Sequence, residues 1–257
     1  MSRLQNPTEH QVSLARGVTM RFRRIDPGEF RMGGRGEYAD EEPIHRVRIT
    51  RPFYLGVYPV TQAQFAVWTK LKGVDHKNHF GGKNHPAENL DWNQATQYCD
   101  WLNEDCHARF PAGFVATLPT EAQWEYACRA GTDTQYNTGD GAAALARTGW
   151  YDESSTHPVG EKEPNSWGLC DMHGNVWEWC KDVWDEHAYQ RRVDGITDPV
   201  SALDEGSKVP GRVMRGGSWN DTARGCRSAV RNRWRPDFRN WDTGFRVCLV
   251  PGPASVK

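Results

Sequence analysis

The sequence predicts an α+β domain in which a few short helices and strands are set among long loops. Three observations carry this expectation. Helix-capping signals are confined to the first half of the chain, and regular hydrophobic periodicity fades from Thr132 to Gly211. The composition combines loop punctuation, 25 Gly and 15 Pro, with 12 Trp as rigid packing groups. At 257 residues the chain has no linker, composition break or internal repeat that would divide it. One domain is expected over residues 18–250, with a lead segment over 1–17 and a tail over 251–257.

The elements follow in chain order. Val18–Phe22 and His45–Ile49 read as strands, the second alternating Val47 and Ile49 with Arg46 and Arg48. Met32 to Glu42, between them, is a polar, Gly-rich loop. Thr61 begins a helix running from Gln62 to about Lys70, because Gln64 can complete a capping box ahead of Phe65 and Trp68. Gly73–His85 has no period and reads as loop. Ala95, Tyr98, Cys99 and Leu102 form the apolar stripe of a second helix. Thr120 and Gln123 repeat the capping box for a third, with Trp124, Ala127 and Cys128 on one face and a stop before Gly131. Near the end, Arg212–Arg215 and Gly244–Leu249 read as strands bracketing an Arg- and Trp-rich segment.

Composition excludes several classes of function. Lys and Arg total 32 and Asp and Glu 33, a formal charge of -1, which argues against a nucleic-acid coat or an acidic tail. No stretch approaches the ~20 apolar residues that span a bilayer, and Met1–Pro7 lacks the apolar core of an export signal. A cytoplasmic protein without membrane contact is expected. The 7 cysteines, an odd number without C-x-x-C spacing, suggest reduced, buried thiols. His76, His79 and His85 crowd a Gly- and Lys-rich loop without helical metal spacing, and read as solvated loop histidines.

Six blocks carry a resemblance: Phe30–Gly34, Val57–Phe65, Leu118–Ala127, Asn165–Trp179, Arg215–Trp219 and Gly244–Arg246. In order and spacing, over roughly residues 18–250, they resemble the formylglycine-generating enzyme, or sulfatase-modifying factor, family. The resemblance implies a C-type-lectin-like α+β fold. That scaffold carries oxidases, sulfoxide synthases, pseudo-enzymes and binding proteins, so the site must decide the function. In the oxidases two cysteines hold copper(I) while oxygen converts a substrate cysteine to formylglycine. Counted from Gly216, those positions are Asp221 and Cys226. A carboxylate is a hard ligand where a soft thiolate is needed. A second alignment matches Arg227–Arg231 to a block beyond both cysteines, and then Cys226 is a structural thiol. Cys128 falls on a disulfide position of the family and Cys248 lies one residue from another, but the usual partners are missing or shifted and no disulfide is expected. The histidine set that binds iron in the sulfoxide synthases has no counterpart. The resemblance also implies a calcium loop, with the carbonyls of His173, Gly174 and Val176 and the Glu178 carboxylate as ligands. The alternative is that Glu178 pairs with an arginine.

Charge is uneven. From Ser207 to Arg246 there are ten basic residues against Asp221, Asp237 and Asp242, leaving the remainder of the chain acidic. Arg215, Arg227, Arg231 and Arg246 belong to the family blocks and are expected in internal ion pairs. Between the blocks lie Trp219, Asn220, Asp221, Arg233, Trp234, Arg235, Phe238, Asn240 and Trp241, residue types that binding surfaces favour. The layout is similar to the variable proteins of diversity-generating retroelements, although adenine mutation of an asparagine codon does not produce tryptophan. The expected function is a non-catalytic binding module with its recognition surface in residues 219–242. Its partner would be an unidentified protein or other macromolecular ligand, nucleic acid remaining among the candidates. The alternatives are a copper-dependent oxidase using Cys226 and a pseudo-enzyme that binds sulfatase-like peptides.

Overall fold

The computed structural model describes residues 9–35, 37–202 and 211–253. In chain order the elements are β1 (Glu9–Ser13), β2 (Thr19–Ile25), β3 (Gly28–Met32), β4 (His45–Ile49), β5 (Phe53–Gly56), α1 (Gln62–Lys72), α2 (Trp92–Asp105), β6 (Phe114–Thr117), α3 (Glu121–Arg129) and α4 (Ala142–Thr148). They continue with β7 (Gly149–Trp150), β8 (His173–Gly174), β9 (Trp177–Val183), α5 (Ala188–Arg191), β10 (Ile196–Thr197), β11 (Arg212–Arg215), β12 (Arg231–Trp234), β13 (Thr243–Phe245) and β14 (Cys248–Pro251).

Local chemistry explains the helix starts. The side chains of Thr61, Asp91 and Thr120 each accept an N–H bond from the third helical residue, and the Gln64, Gln94 and Gln123 side-chain oxygens each accept the backbone N–H of the cap. The helix α1 ends on Gly73 and α3 on Ala130, both left-handed. On α2 the stripe Ala95, Tyr98, Cys99 and Leu102 is buried, as its spacing predicts.

The strands form a five-stranded sheet in the order β1-β2-β5-β14-β6, a three-stranded sheet β10-β4-β3, a four-stranded sheet β12-β11-β9-β13 and the short pair β7-β8. Two expectations need correction. Glu9–Ser13, placed in the lead segment, pairs with β2 as an edge strand. Gly244–Leu249 is not one strand but parts of two: β13 runs parallel to β9, whereas β14 joins β5 and β6 in another sheet. The break falls at Arg246, whose guanidinium turns inward to Glu178.

One apolar cluster packs α1 and α2, through Phe65, Trp68 and Tyr98, against Met20, Phe22 and Leu249 of the five-stranded sheet and against Phe245 of β13, with ring centroids 5.6 Å apart for Phe65–Tyr98 and 5.4 Å for Tyr98–Phe245. A second gathers Met32, Phe53, Trp124 and Tyr189 around α3. Each such side chain contributes about 1.5–3 kcal/mol on burial. No helix among the described residues is long and apolar enough to cross a membrane.

Candidate functional site

The strand β11 delivers the chain into Gly216 and Gly217, with φ of +100° and +73°. A Cβ on Gly217 would stand 2.6 Å from Cys226 Sγ and 2.8 Å from the Gly225 carbonyl, so this turn requires glycine. Ser218 follows, and its N–H donates to Asp221 Oδ2 at 2.9 Å while its hydroxyl donates to the same oxygen. Asp221 therefore closes the turn. Its carboxylate is already engaged by the backbone it holds.

Cys226 ends a 3-10 turn at Ala223–Cys226. Its side chain is fully buried with Tyr136 and Leu145, and its Sγ lies 3.8 Å from the Ser218 carbonyl. Burial, reinforced by the Asp221 charge, pushes the thiol pKa up, so the thiolate that a soft metal binds is disfavoured. All seven cysteines are free. A lone thiol and a carboxylate already engaged by the turn do not fit a cuprous ion, which needs two soft ligands.

The calcium candidates sit in a tightly bonded stretch. Glu178 Oε1 accepts from Arg246 Nη2 at 2.8 Å and Oε2 from Trp124 Nε1 at 2.7 Å, with the side chain 1% exposed. The Gly174 carbonyl accepts the Val176 N–H at 2.9 Å. The His173 ring is buried: Nδ1 donates to the Cys226 carbonyl at 2.8 Å and Nε2 accepts the Asn137 N–H at 3.1 Å. Burial lowers its pKa to about 4 and keeps it neutral. A calcium ion at Glu178 would have to displace a guanidinium, so the loop does not fit the cation as it stands. Among the described residues no group of three or more His, Cys, Asp or Glu converges as a metal centre.

The nine recognition candidates fall into three groups. Trp234 and Phe238 stack at 4.1 Å with an interplanar angle of 11°, and Trp234 is 47% exposed. Arg233 and Arg235 flank them and are exposed, Arg235 making a surface pair with Asp237 at 3.3 Å. Trp241, 46% exposed, packs on His79 at 4.7 Å. Trp219 is instead largely buried: it meets Phe80 edge-on at 5.3 Å and donates its indole N–H to the Trp241 carbonyl at 3.4 Å. Asn220 caps the Ser218 hydroxyl at 2.7 Å, and the Asn240 carbonyl accepts the Asn89 N–H at 3.0 Å. Trp219, Asn220, Asp221 and Asn240 thus shape the face, whereas Trp234, Arg233, Arg235 and Trp241 project from it.

Sequence reasoning left out the second loop that completes this face. His79 and Phe80 belong to the Gly73–His85 loop, and the buried Glu88 carboxylate holds the Phe80 N–H at 2.9 Å. His76, His79 and His85 do not converge: His76 bonds Asn78 and His85 bonds Thr156. Nothing in the spacing of residues 79 and 241 signals their contact, which exists only through the fold.

The expected internal pairs are present. Arg227 bonds Glu41 at 2.8 Å, Arg231 bonds Glu121 at 2.6 Å, Arg246 bonds Glu178 at 2.8 Å, and Arg215 bonds Glu125.

Comparison with known proteins places this geometry. The formylglycine-generating enzyme of Streptomyces coelicolor is 30% identical over 87% of this chain and 87% of its own length. The serine/threonine-protein kinase pkn1 of Chlamydia caviae is 29% identical over 86% of this chain, which spans 37% of that protein. Among solved structures, Treponema denticola variable protein 1 superimposes with a TM-score of 0.78 at 26% identity, covering 94% of this chain and 99% of that one. PvdO from Pseudomonas aeruginosa gives 0.76 at 28% identity, over 89% and 94%. The sulfatase-modifying factor enzyme 1-like domain model matches residues 12–250, and the chain belongs to that family.

Proposed function

We propose that the protein is a non-catalytic ligand- or protein-binding module on the formylglycine-generating-enzyme scaffold. The observation that carries the reading is the pair at positions 221 and 226. Counted from Gly216, a carboxylate engaged with Ser218 and a lone buried thiol occupy the positions at which the oxidases hold copper(I) between two sulfurs, and on the second alignment neither ligand has a counterpart here. The projecting aromatic and arginine face supports the same reading, since large rigid rings bury area at low entropic cost. Trp234 and Trp241 serve as its anchors, and Arg233 and Arg235 orient the partner. Likeness to a variable protein supports the use of this scaffold for recognition. The module takes neither copper at Cys226 nor calcium at Glu178.

The test is incubation with copper(I), oxygen and a Cys-x-Pro-x-Arg peptide, followed by mass spectrometry. The peptide is expected to remain unchanged in mass. Conversion of its cysteine to formylglycine would establish the oxidase alternative. Retention of the unmodified peptide on immobilised protein would point to the pseudo-enzyme. Trp234→Ala and Trp241→Ala are each expected to weaken partner capture at least about tenfold while the melting temperature changes little.

A further inference from the structure

Among the described residues the strand β12 is the terminal strand of its sheet, paired only with β11. A groove of about 620 Å³ runs beside it. Asn232 borders this groove from one face of the strand and Arg231 and Arg233 from the other, with Val230 just before the strand, as expected of space at a strand's open edge. Tyr38–Asp40 and Glu186 form a second wall, while the Trp184 ring packs against Arg231 and Arg233. That wall is preformed: Glu41 is held by Arg227, and the Asp40 carbonyl accepts from Arg231 Nη1 at 3.0 Å.

The edge has an unused backbone direction. Arg233 lies opposite Val213, and its N–H donates to the side chain of its neighbour, Asn232 Oδ1, at 2.7 Å. In an antiparallel ladder a residue in such a pair turns its N–H and C=O away from the partner strand. The Asn232 amide blunts the edge in the free chain, as exposed edges require. Charge on the walls is mostly negative. The carboxylates of Asp40 and Glu186 have no Lys or Arg partner among the described residues, Asp221 closes one end, and Arg231 is neutralised by Glu121.

We propose that this groove accepts an extended peptide as an added strand on β12, with lysine or arginine side chains of the peptide directed to Asp40 and Glu186. Main-chain bonds to the outward groups of Arg233 supply affinity, and the acidic wall supplies selection. The proposal rests on the binding-module reading in so far as Asp221 and Arg233 belong to both.

Short fluorescein-labelled peptides without cysteine test it by anisotropy against the full chain. The probes are alternating Lys-Val, alternating Glu-Val, and Lys-Val with alternate amide nitrogens methylated. The Lys-Val peptide is expected to bind, and the methylated and Glu-Val peptides to bind at least about tenfold more weakly. Arg233→Pro removes the outward N–H and should abolish binding, with circular dichroism confirming the fold. Asp40→Asn with Glu186→Gln, which leaves the strand intact, should erase the preference for Lys-Val over Glu-Val. Failure of Lys-Val to bind at millimolar concentration, or equal binding of the methylated peptide, overturns the added strand. Unchanged charge preference in the double variant overturns the role of the wall. Because the peptides lack cysteine, their failure leaves the binding-module reading standing, whereas formylglycine formation in the separate assay would remove that reading alone.

Discussion

The last quarter of the chain uses one residue type in two opposite ways. Arg215, Arg227, Arg231 and Arg246 are buried and each meets a carboxylate, whereas Arg233, Arg235 and Arg239 lie on the surface within the same stretch of sequence. The local positive excess counted in the sequence is therefore not a surface field: the buried set is spent on cross-linking. Arg246 joins Glu178 of β9 to the Gly56, Val57 and Cys170 carbonyls. Arg215 joins Glu125 of α3 to the Ala229 and Val230 carbonyls. These bonds tie long loops where regular structure is scarce. Buried carboxylates show the same contrast. Burial pushes Glu121 up, but Arg231 and Arg215 outweigh it and bring its pKa down to about 2, whereas burial of Glu88 with only amide donors raises its pKa to about 7.

The largest effect should come from breaking a buried pair. Arg246→Ala leaves the Glu178 charge without its cation and is expected to cost about 3–5 kcal/mol in urea unfolding. A cost no larger than that of a surface change would erase the distinction between the two sets.

A smaller effect of opposite sign is expected at Glu88. Its folded pKa is raised above the ordinary value of 4.5, so the native state holds that proton more tightly than the unfolded chain does. Stability from this group is present below about pH 4.5 and is lost as pH rises through about 7. Glu88→Gln keeps an acceptor for the Phe80 N–H and removes the buried charge. It should be about 1–2 kcal/mol more stable than the parent at pH 8 and no more stable at pH 4.5, measured by thermal melts at both. Glu121 should act in reverse, its stabilisation being lost as pH falls from 4.5 to about 2.

Cys226→Ala should cost about 1 kcal/mol, from the lost contacts with Tyr136 and Leu145, and leave partner capture unchanged. Abolished function in a folded variant would return Cys226 to a chemical role. Arg235→Ala, at the exposed end of the comparison, should change stability by less than about 0.5 kcal/mol. A larger loss would place Arg235 with the cross-linking set.

Where local chemistry suffices, the elements were legible. The capping boxes at Thr61 and Thr120 and the stripe on α2 need only neighbours within a few residues, and β4 alternates buried and exposed positions as its spelling requires. The strand β9 was harder to see because it is buried on both faces, so Trp177–Val183 carries no alternation. The strand β12, Arg-Asn-Arg-Trp, has no strand signal of its own and exists through its pairing with β11. In the candidate site, the carboxylate at position 221 and the lone cysteine at 226 were readable residue by residue. The His79–Trp241 contact, the burial of Trp219 and the groove along β12 were not.

The sequence by itself determined the family, the α+β class and the starts of α1 and α3, because motif identity and capping are written in residues a few positions apart. Only the tertiary structure decided which arginines are spent inside, which aromatics project and where a sheet edge stays open. Those outcomes depend on pairings between residues far apart in the chain, and burial then sets the strength of every charge and hydrogen bond within them.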